Sequence, residues 1–553
     1  MKITKESIKG NSIIYDTESK NKSIEEILDA RFEAGEFILD GSFEDLHDPY
    51  QLKDMDKAVD KIKQAHKNKE TVMIFGDYDV DGVTSTSILM HFFQTIGLRA
   101  SYRLPDRVKD GYGMKKYFID EMKELGVNLV VTVDCGTKDI EVVDHAKDLG
   151  IEVIVTDHHA VPDVIPKNAV AVINPKRDDC NYMYKNLAGA GVAFKLVQAL
   201  AYEFMDEVQA KKYLQNTIDI AAIGTVADCM RLTGENRIIV QAGLKQLKNT
   251  RSIGLKTLIA DRMDEDLDAD IFGFQIGPRL NAAGRMDSPY KAVNLILNNS
   301  SSVLKTIKEI ENLNELRKEK TKQFTGDALE KVNRQDNLLF YVSKDISHGI
   351  IGIVAGRITE QFYKPCIALK DEGDKLVASC RSPEYFSMIE LLDKHKDFFL
   401  AYGGHKQAAG FSIAKEKFAD FRKSMLATVN AQDFSQYKKE IEITQSIRLS
   451  DIGFKFLERV NRYKPFGLGN EKPLFLIENF IPEKVEILGN KSRDHIKFTS
   501  KYGFKIFAFF MGEHYETLKR NKKPLSLVVD MSEDNWMGNR NIMLKVSDVI
   551  IEN

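Results

Sequence analysis

The chain has 553 residues, with 79 Lys and Arg against 82 Asp and Glu, a formal net charge of −3 and a mean hydropathy of −0.30. That length exceeds one ordinary core, so three or four domains are expected, and the near-neutral balance excludes a globally basic nucleic-acid binder, leaving any basic surface local. Cys135, Cys180, Cys229, Cys366 and Cys380 are scattered without a CxxC pair, against a disulfide framework or structural zinc and in favour of reduced thiols in a cytoplasmic protein; a polar N-terminus and the lack of any long apolar run predict neither a signal peptide nor a membrane span.

Residues 1–45 read as a polar, loosely ordered lead-in with a short helix around Ile24 to Ala34. Leu52 to Lys69 has helical periodicity. Strand and helix then alternate in the pattern of a parallel doubly wound sheet, with strands over Thr71–Phe75, Asn128–Val133, Glu152–Thr156 and Ala169–Ile173. The first strand runs into Gly76-Asp77-Tyr78-Asp79-Val80-Asp81-Gly82, and Val83 to Gly97 reads as a helix. Three carboxylates thus leave a strand's carboxyl end, where open α/β sheets place ligands. Such crowded charges need protons or cations, and hard oxygen donors suit Mg²⁺ or Mn²⁺. The same spacing opens an EF-hand loop, but the twelfth position from Asp77 is Ile88 where that loop needs Glu, and no helix precedes Asp77.

The next two strands end in Val133-Asp134-Cys135-Gly136 and Thr156-Asp157-His158-His159, so three consecutive strand ends present carboxylate or imidazole to one sheet edge. Asp228 closes the apolar helical run Ile223 to Ala227; by spacing alone it is a helix C-terminal residue without an assigned role. Between the first two strands lies a Pro/Gly-punctuated loop, Tyr102-Arg103-Leu104-Pro105-Asp106-Arg107 followed by Lys109 to Gly113. In it Arg107 can hold a phosphate or simply be solvated. Gly277-Pro278-Arg279-Leu280-Asn281-Ala282-Ala283-Gly284-Arg285 pairs small residues with two arginines able to grip a phosphodiester, or is an ordinary helix-to-loop transition.

The set DYDVDG, VDCG, DHH and GTVAD, in that order, resembles the DHH phosphoesterase superfamily and, within it, the RecJ family of single-strand-specific 5′→3′ exonucleases, over nearly all of the chain after about residue 45. Simpler pyrophosphatase members carry a His four residues before Asp79; here that position is Phe75, and Asp77 is expected to substitute as ligand. The resemblance implies two Mn²⁺ (or Mg²⁺) ions on Asp77, Asp79, Asp81, Asp134, His158 and Asp228, with Asp134 bridging, and His159 stabilising a phosphoryl oxygen.

Ser300 to Val332 reads as a long charged spacer helix; apolar heptads are not sustained, so a coiled coil is disfavoured. A second lobe opens on the strand Asn337–Val342. Ser347 to Arg357 is a glycine-rich helix start suited to phosphate, Ala378 to Ser382 follows a strand, and Gly403 to Gly410 follows a helix. These resemble the DHHA1 domain, which implies that Ser379 and Arg381 hold the 5′ end while Gly404 and His405 approach the scissile region. From about Ile441 the texture becomes short strands and turns, a small β-barrel. Lys497 to Phe510 interleaves basic and aromatic residues, and Trp536 in a turn-like stretch is a candidate stacking platform, although alternating aromatics ordinarily form strand cores. This part resembles the OB-fold of the RecJ family, and no further domain is expected after it.

The expected fold is therefore α/β: a lead-in (1–45), a DHH parallel-sheet domain (46–295), a connecting helix (296–335), a smaller α/β DHHA1 domain (336–435) and an OB-fold barrel (436–553). The expected function is 5′→3′ degradation of single-stranded DNA to 5′-mononucleotides by a monomer without membrane contact. DNA repair and recombination beside a single-strand-binding protein and a helicase is implied by the resemblance alone. Arg107, Arg279, Asn281, Arg285, Ser379, Arg381, Gly404, His405 and Trp536 are the expected DNA contacts. A phosphodiesterase for cyclic dinucleotides is disfavoured by the long chain with its OB-like tail, and a non-catalytic strand binder by the intact set of mutually repelling acids.

Overall fold

The computed structural model describes residues 2–32, 38–263, 266–434, 436–489, 494–534 and 540–552. They form two compact units, one of Met1–Leu39, Asp433–Lys464 and Glu471–Asn553, the other of Asp40–Gln432 and Pro465–Asn470. In place of a loosely ordered lead-in, β1 (Lys2–Glu6) and β2 (Ser12–Asp16) form an antiparallel hairpin, and β2 pairs in parallel with the strand Glu440–Glu442. The apolar alternation of Ile13 and Tyr15 explains it, because both are buried in a core shared with Ile443, Leu476, Val528 and Ile550.

The larger unit opens with α1 (Met55–Asn68) and continues into a five-stranded, all-parallel sheet. Its strands are β3 (Val72–Phe75), β4 (Ala100–Arg103), β5 (Leu129–Val133), β6 (Glu152–Thr156) and β7 (Ala171–Ile173), in the order β4-β3-β5-β6-β7. Continuous runs such as VMIF and LVVTV are buried along their whole length, as strands covered by helices on both faces must be. Tyr102 and Arg103, read as loop, end the edge strand β4, whose sequence ASYR lacks an apolar signature. The chain leaves β3 toward β4 and returns to β5 on its other side, so the crevice at the strand ends lies between β3 and β5.

Helices α2 (Val80–Thr95), α3 (Gly189–Phe204) and α4 (Ile218–Ala227) pack together over this sheet. A π-helical turn, Ile271–Ile276, leads into α5 (Gly277–Met286), and the 29-residue α6 (Val303–Lys331) carries the chain to a second lobe. That lobe has β8 (Leu339–Ser343), α7 (His348–Phe362), β9 (Cys366–Asp371), β10 (Lys375–Arg381), β11 (Phe399–Gly404) and β12 (Ala408–Ala414) in a mixed sheet of order β11-β12-β10-β9-β8. Two placements differ from the sequence reading: Ala378–Arg381 lies inside β10, and Gly403–Gly410, read as following a helix, makes the turn end of the β11–β12 hairpin. Arg285 Nη1 donates to the Gly349 carbonyl at 2.9 Å, tying α5 to the start of α7.

The smaller unit continues with β13 (Glu440–Glu442), β14 (Gln445–Ser446), β15 (Phe475–Phe480), β16 (Lys484–Leu488), β17 (His495–Thr499), β18 (Lys505–Ala508), β19 (Leu525–Asp534) and β20 (Asn541–Ile551). The stretch expected as a small β-barrel forms a seven-stranded sheet, order β14-β15-β19-β20-β18-β17-β16, whose end strands share no ladder among the described residues. Trp536 lies outside the described residues. No described helix is long and apolar enough to cross a membrane.

Candidate metal centre and phosphate pocket

Register aligns the three strand ends: Phe75 sits beside Thr132, and Val133 beside Thr156. The residues that follow must therefore emerge together. Asp77 and Asp79 leave β3, Asp134 leaves β5 and His158 leaves β6, while Asp228 arrives as the C-terminal cap of α4. The helix after β3 starts three residues earlier than expected because Asp79 caps it, its Oδ1 accepting the Asp81 and Gly82 N–H groups at 3.0 and 3.1 Å. Asp81 consequently sits in the first turn of α2. Both its oxygens accept N–H groups at the start of α3, from Gly189 at 2.7 Å and Ala190 at 2.8 Å, which favour a carboxylate there.

Asp134 adopts φ +60, a left-handed conformation uncommon for a residue with a side chain, and is only 2% exposed. A Cβ added at Gly189 would stand 2.7 Å from the Asp134 Cβ, so the bare backbone at the start of α3 makes room for the carboxylate.

Around these groups, His158 Nε2 lies 3.0 Å from Asp134 Oδ1, 3.5 Å from Asp228 Oδ2 and 3.6 Å from Asp81 Oδ2. One oxygen or nitrogen from each of Asp81, His158 and Asp228 falls within 4.8 Å of the others; so do those of Asp77, Asp79 and Asp134, and of Asp134, His158 and His159. Burial, and then the neighbouring carboxylates, push Asp77, Asp81 and Asp134 far above the ordinary carboxylate range, and Asp228 up to about 7. Burial drives His158 down to about 3, leaving the neutral imidazole that a metal ligand must be. Asp77 Oδ1 is buried without a hydrogen-bond partner. Crowded acids, an orphaned buried oxygen and a neutral imidazole are the donor set of a hard divalent cation, and the overlapping groups give room for two.

His159 is held differently. Its Nδ1–H donates to Asp157 Oδ1 at 2.8 Å, and the same oxygen accepts the backbone N–H groups of His158 and His159, while Asp157 Oδ2 takes Thr137 N–H at 2.9 Å. Despite burial, these bonds hold the Asp157 carboxyl below its ordinary range, and they raise the His159 pKa against its own desolvation. The ring is a third exposed, and Nε2 is the nitrogen left for substrate. Tyr112 packs edge-on against this ring, its hydroxyl 3.1 Å from His159 Nδ1 and 3.3 Å from the Asp134 carbonyl. Asp157 and Tyr112 were not singled out from the sequence. Asp157 stood in plain view beside the two histidines, whereas nothing in the spacing marked Tyr112.

Several of these groups open onto a cavity of about 330 Å³, whose lining combines Asp77, Asp79, Asp81, Asp228, His159 and Tyr112 with Tyr78, Arg107, Asn281 and Arg285. The Arg107 guanidinium stacks 4.0 Å from the Tyr78 ring centroid. Burial, and then the Arg107, Arg317 and Arg381 guanidinium groups, bring Arg285 down to about 10, which marks a cluster of cations around it. Ser379 and Arg381, two apart on β10, share a face and are joined by an Arg381 Nη1 to Ser379 Oγ bond of 3.2 Å. Arg279 spends Nη1 on the Gln275 carbonyl and does not line the cavity. Gly404 and His405 lie at the exposed end of the β11–β12 hairpin, also off the cavity wall.

Residues 71–225 match the DHH family N-terminal domain, 335–431 the DHHA1 domain and 443–548 the RecJ OB domain. The single-stranded-DNA-specific exonuclease RecJ of Bacillus subtilis is 35% identical over 522 residues, 92% of this chain, which spans 64% of that protein's length. The single-stranded-DNA-specific exonuclease RecJ of Haemophilus influenzae is 30% identical over 97% of this chain and 96% of its own. The crystal structure of RecJ in complex with Mn²⁺ from Thermus thermophilus superposes with a TM-score of 0.79 at 27% identity, covering 91% of this chain and 72% of that one.

Proposed function

The chain belongs to the RecJ family of single-stranded-DNA-specific exonucleases, and we propose that it removes nucleotides one at a time from the 5′ end of single-stranded DNA by hydrolysis at the β3–β5 crevice. The observation that carries this reading is the convergence of Asp77, Asp79, Asp81, Asp134, His158 and Asp228 beside a cavity that Arg107, Asn281 and Arg285 also line. Asp77, Asp79 and Asp134 would hold one divalent cation, and Asp81, His158 and Asp228 the other. When bound, two Mn²⁺ or Mg²⁺ ions supply a nucleophile from water near neutral pH and neutralise phosphoryl charge.

The protein's own part is to place and polarise the phosphodiester. Arg107 and Arg285 line the same cavity as the acids and would take its non-bridging oxygens. His159, whose protonated form Asp157 favours, would donate from Nε2 to the oxygen on which charge develops. Ser379 and Arg381 would hold the terminal 5′-phosphate, with Arg279, Gly404, His405 and Trp536 as outer contacts along the strand. Water adds to phosphorus and the bond to the 3′ oxygen of the terminal nucleotide breaks, so the product is a 5′-mononucleotide and the shortened strand again begins with a 5′-phosphate. Each turnover therefore recreates the end that Ser379 and Arg381 recognise. A monomer in the cytoplasm, working in repair and recombination with a helicase and a single-strand-binding protein, is the setting that fits this chemistry.

Digestion of 5′-labelled and 3′-labelled oligomers with Mn²⁺ tests the reading. Immediate release of labelled mononucleotide from the 5′ label, with gradual shortening of the 3′-labelled strand, is expected. Early mononucleotide from the 3′ label would overturn the polarity, and no cleavage in Mn²⁺ the reaction itself.

A further inference from the structure

The segment Pro465–Asn470 departs from the smaller unit's stretch of chain and belongs to the larger unit. It closes on itself: Gly467 N–H donates to the Asn470 carbonyl at 2.9 Å, Asn470 N–H returns to Gly467 at 3.1 Å, and Asn470 Nδ2 donates to the Pro465 carbonyl at 2.8 Å. This strap grips two stretches that carry site residues. Leu232, four positions after Asp228, donates its N–H to the Leu468 carbonyl at 2.7 Å. Gly467 lies so close to Leu232 that a Cβ there would stand 2.6 Å from Leu232 Cδ1, and a Cβ at Gly469 would stand 3.2 Å from that of Arg231. Phe466 N–H donates at 3.0 Å to Asp268 Oδ1, just ahead of the π-helical turn that leads to α5 with Arg279 and Arg285. The stretch between Asp228 and Leu232 needs such a hold, because Cys229 there adopts φ +54, a conformation that persists in a non-glycine residue when its surroundings impose it.

We propose that Phe466, Gly467 and Leu468 are positioning residues of the metal centre: Phe466 anchors the strap on Asp268, while Gly467 and Leu468 fix Leu232 and so keep the 228–232 turn, and with it the Asp228 carboxylate, beside His158. None of the three lines the cavity, so they act through the turn and not on substrate. The inference rests on Asp228 being a ligand, and the test separates the two ideas.

Mn²⁺ binding to the full chain is titrated by the EPR signal of free Mn²⁺, and kcat and KM are measured on a 5′-phosphorylated oligonucleotide. The variants are Asp228→Asn, Gly467→Val and Gly467→Ala, with Gly453→Ala as a control at a glycine surrounded by open space. Gly467→Val is expected to weaken Mn²⁺ binding about tenfold, the scale of losses behind a ligand shell. KM should be unchanged, kcat should fall at limiting Mn²⁺ and recover at saturating Mn²⁺, and Gly453→Ala should match wild type. Recovery with excess metal is what a merely structural lesion would not show. Should Gly467→Val fail to fold, Gly467→Ala decides. Mn²⁺ affinity within twofold of wild type in the folded Gly467 variants, while Asp228→Asn loses binding, overturns the strap proposal alone. Normal binding in Asp228→Asn overturns both.

Discussion

Asp157→Asn isolates how the protein uses His159. The carboxylate accepts N–H groups from His159 Nδ1 at 2.8 Å, from the His158 and His159 backbone at 2.8 and 3.1 Å, and from Thr137 at 2.9 Å. An amide has one acceptor oxygen, so in either orientation its NH₂ group faces one of these donors. The bond to His159 either loses its charge or is lost outright. A hydrogen bond to a charged group contributes about 1.5–3 kcal/mol, and because the ring is a third exposed the lower figure applies, about tenfold in rate. Single-turnover cleavage at saturating Mn²⁺ reads this directly, with metal affinity measured in parallel. The pH profile gives the sign. Asp157 raises the His159 pKa, so the protonated donor is present at low pH and lost as pH rises through that raised value. In Asp157→Asn the descending limb should move to lower pH. An unchanged turnover rate and an unmoved alkaline limb would refute the role assigned to the pair.

Three further outcomes are expected. Asp219, wholly buried in α4, has a carboxyl raised to about 6 by desolvation, so its contribution to stability is full below its ordinary pKa and gone once pH exceeds 6. Asp219→Asn should leave melting almost unchanged at pH 4 and raise it by a few degrees at pH 8, where it relieves about 3 kcal/mol; equal shifts at both would contradict this. Lys195 pairs with Glu235 at 2.9 Å with both side chains fully buried, so Lys195→Met should cost about 3–5 kcal/mol in urea unfolding by stranding the Glu235 charge, and adding Glu235→Gln should recover part of it. Gly189→Ala places a Cβ 2.7 Å from that of Asp134 and should abolish cleavage and weaken Mn²⁺ binding in a calorimetric titration; wild-type affinity would show that the start of α3 yields easily.

What could be read in the residues followed their burial. β3, β5 and most of β6 are buried on both faces, so their sequences are largely apolar, and the polar groups just beyond them stood out as strand-end chemistry. β4 escaped because an edge strand with exposed positions carries no such run. Alternate spacing placed Asp77, Asp79 and Asp81 on one turn, yet it could not tell that Asp79 would cap a helix and turn Asp81 toward the amides of α3, more than a hundred positions away. The orienting role of Asp157 was hidden for a related reason, since an acid beside two histidines reads equally as a ligand or as a hydrogen-bond partner. Gly403-Gly404 was ambiguous in the same way, two glycines serving a plain turn, which here belongs to a hairpin, as readily as a close approach to substrate.

The hairpin β1–β2 finds its strand partner, Glu440–Glu442, more than four hundred residues downstream, and Ser7 Oγ bonds Asp548 near the other terminus. During translation these strands leave the ribosome with an open edge and wait for more than four hundred further residues before it is covered. Trimming residues 2–16 as a dispensable tail would strip two strands from the unit that holds Glu440–Glu442. A truncation beginning near residue 40 should aggregate or expose its C-terminal unit to protease, even though every group of the metal centre lies within it.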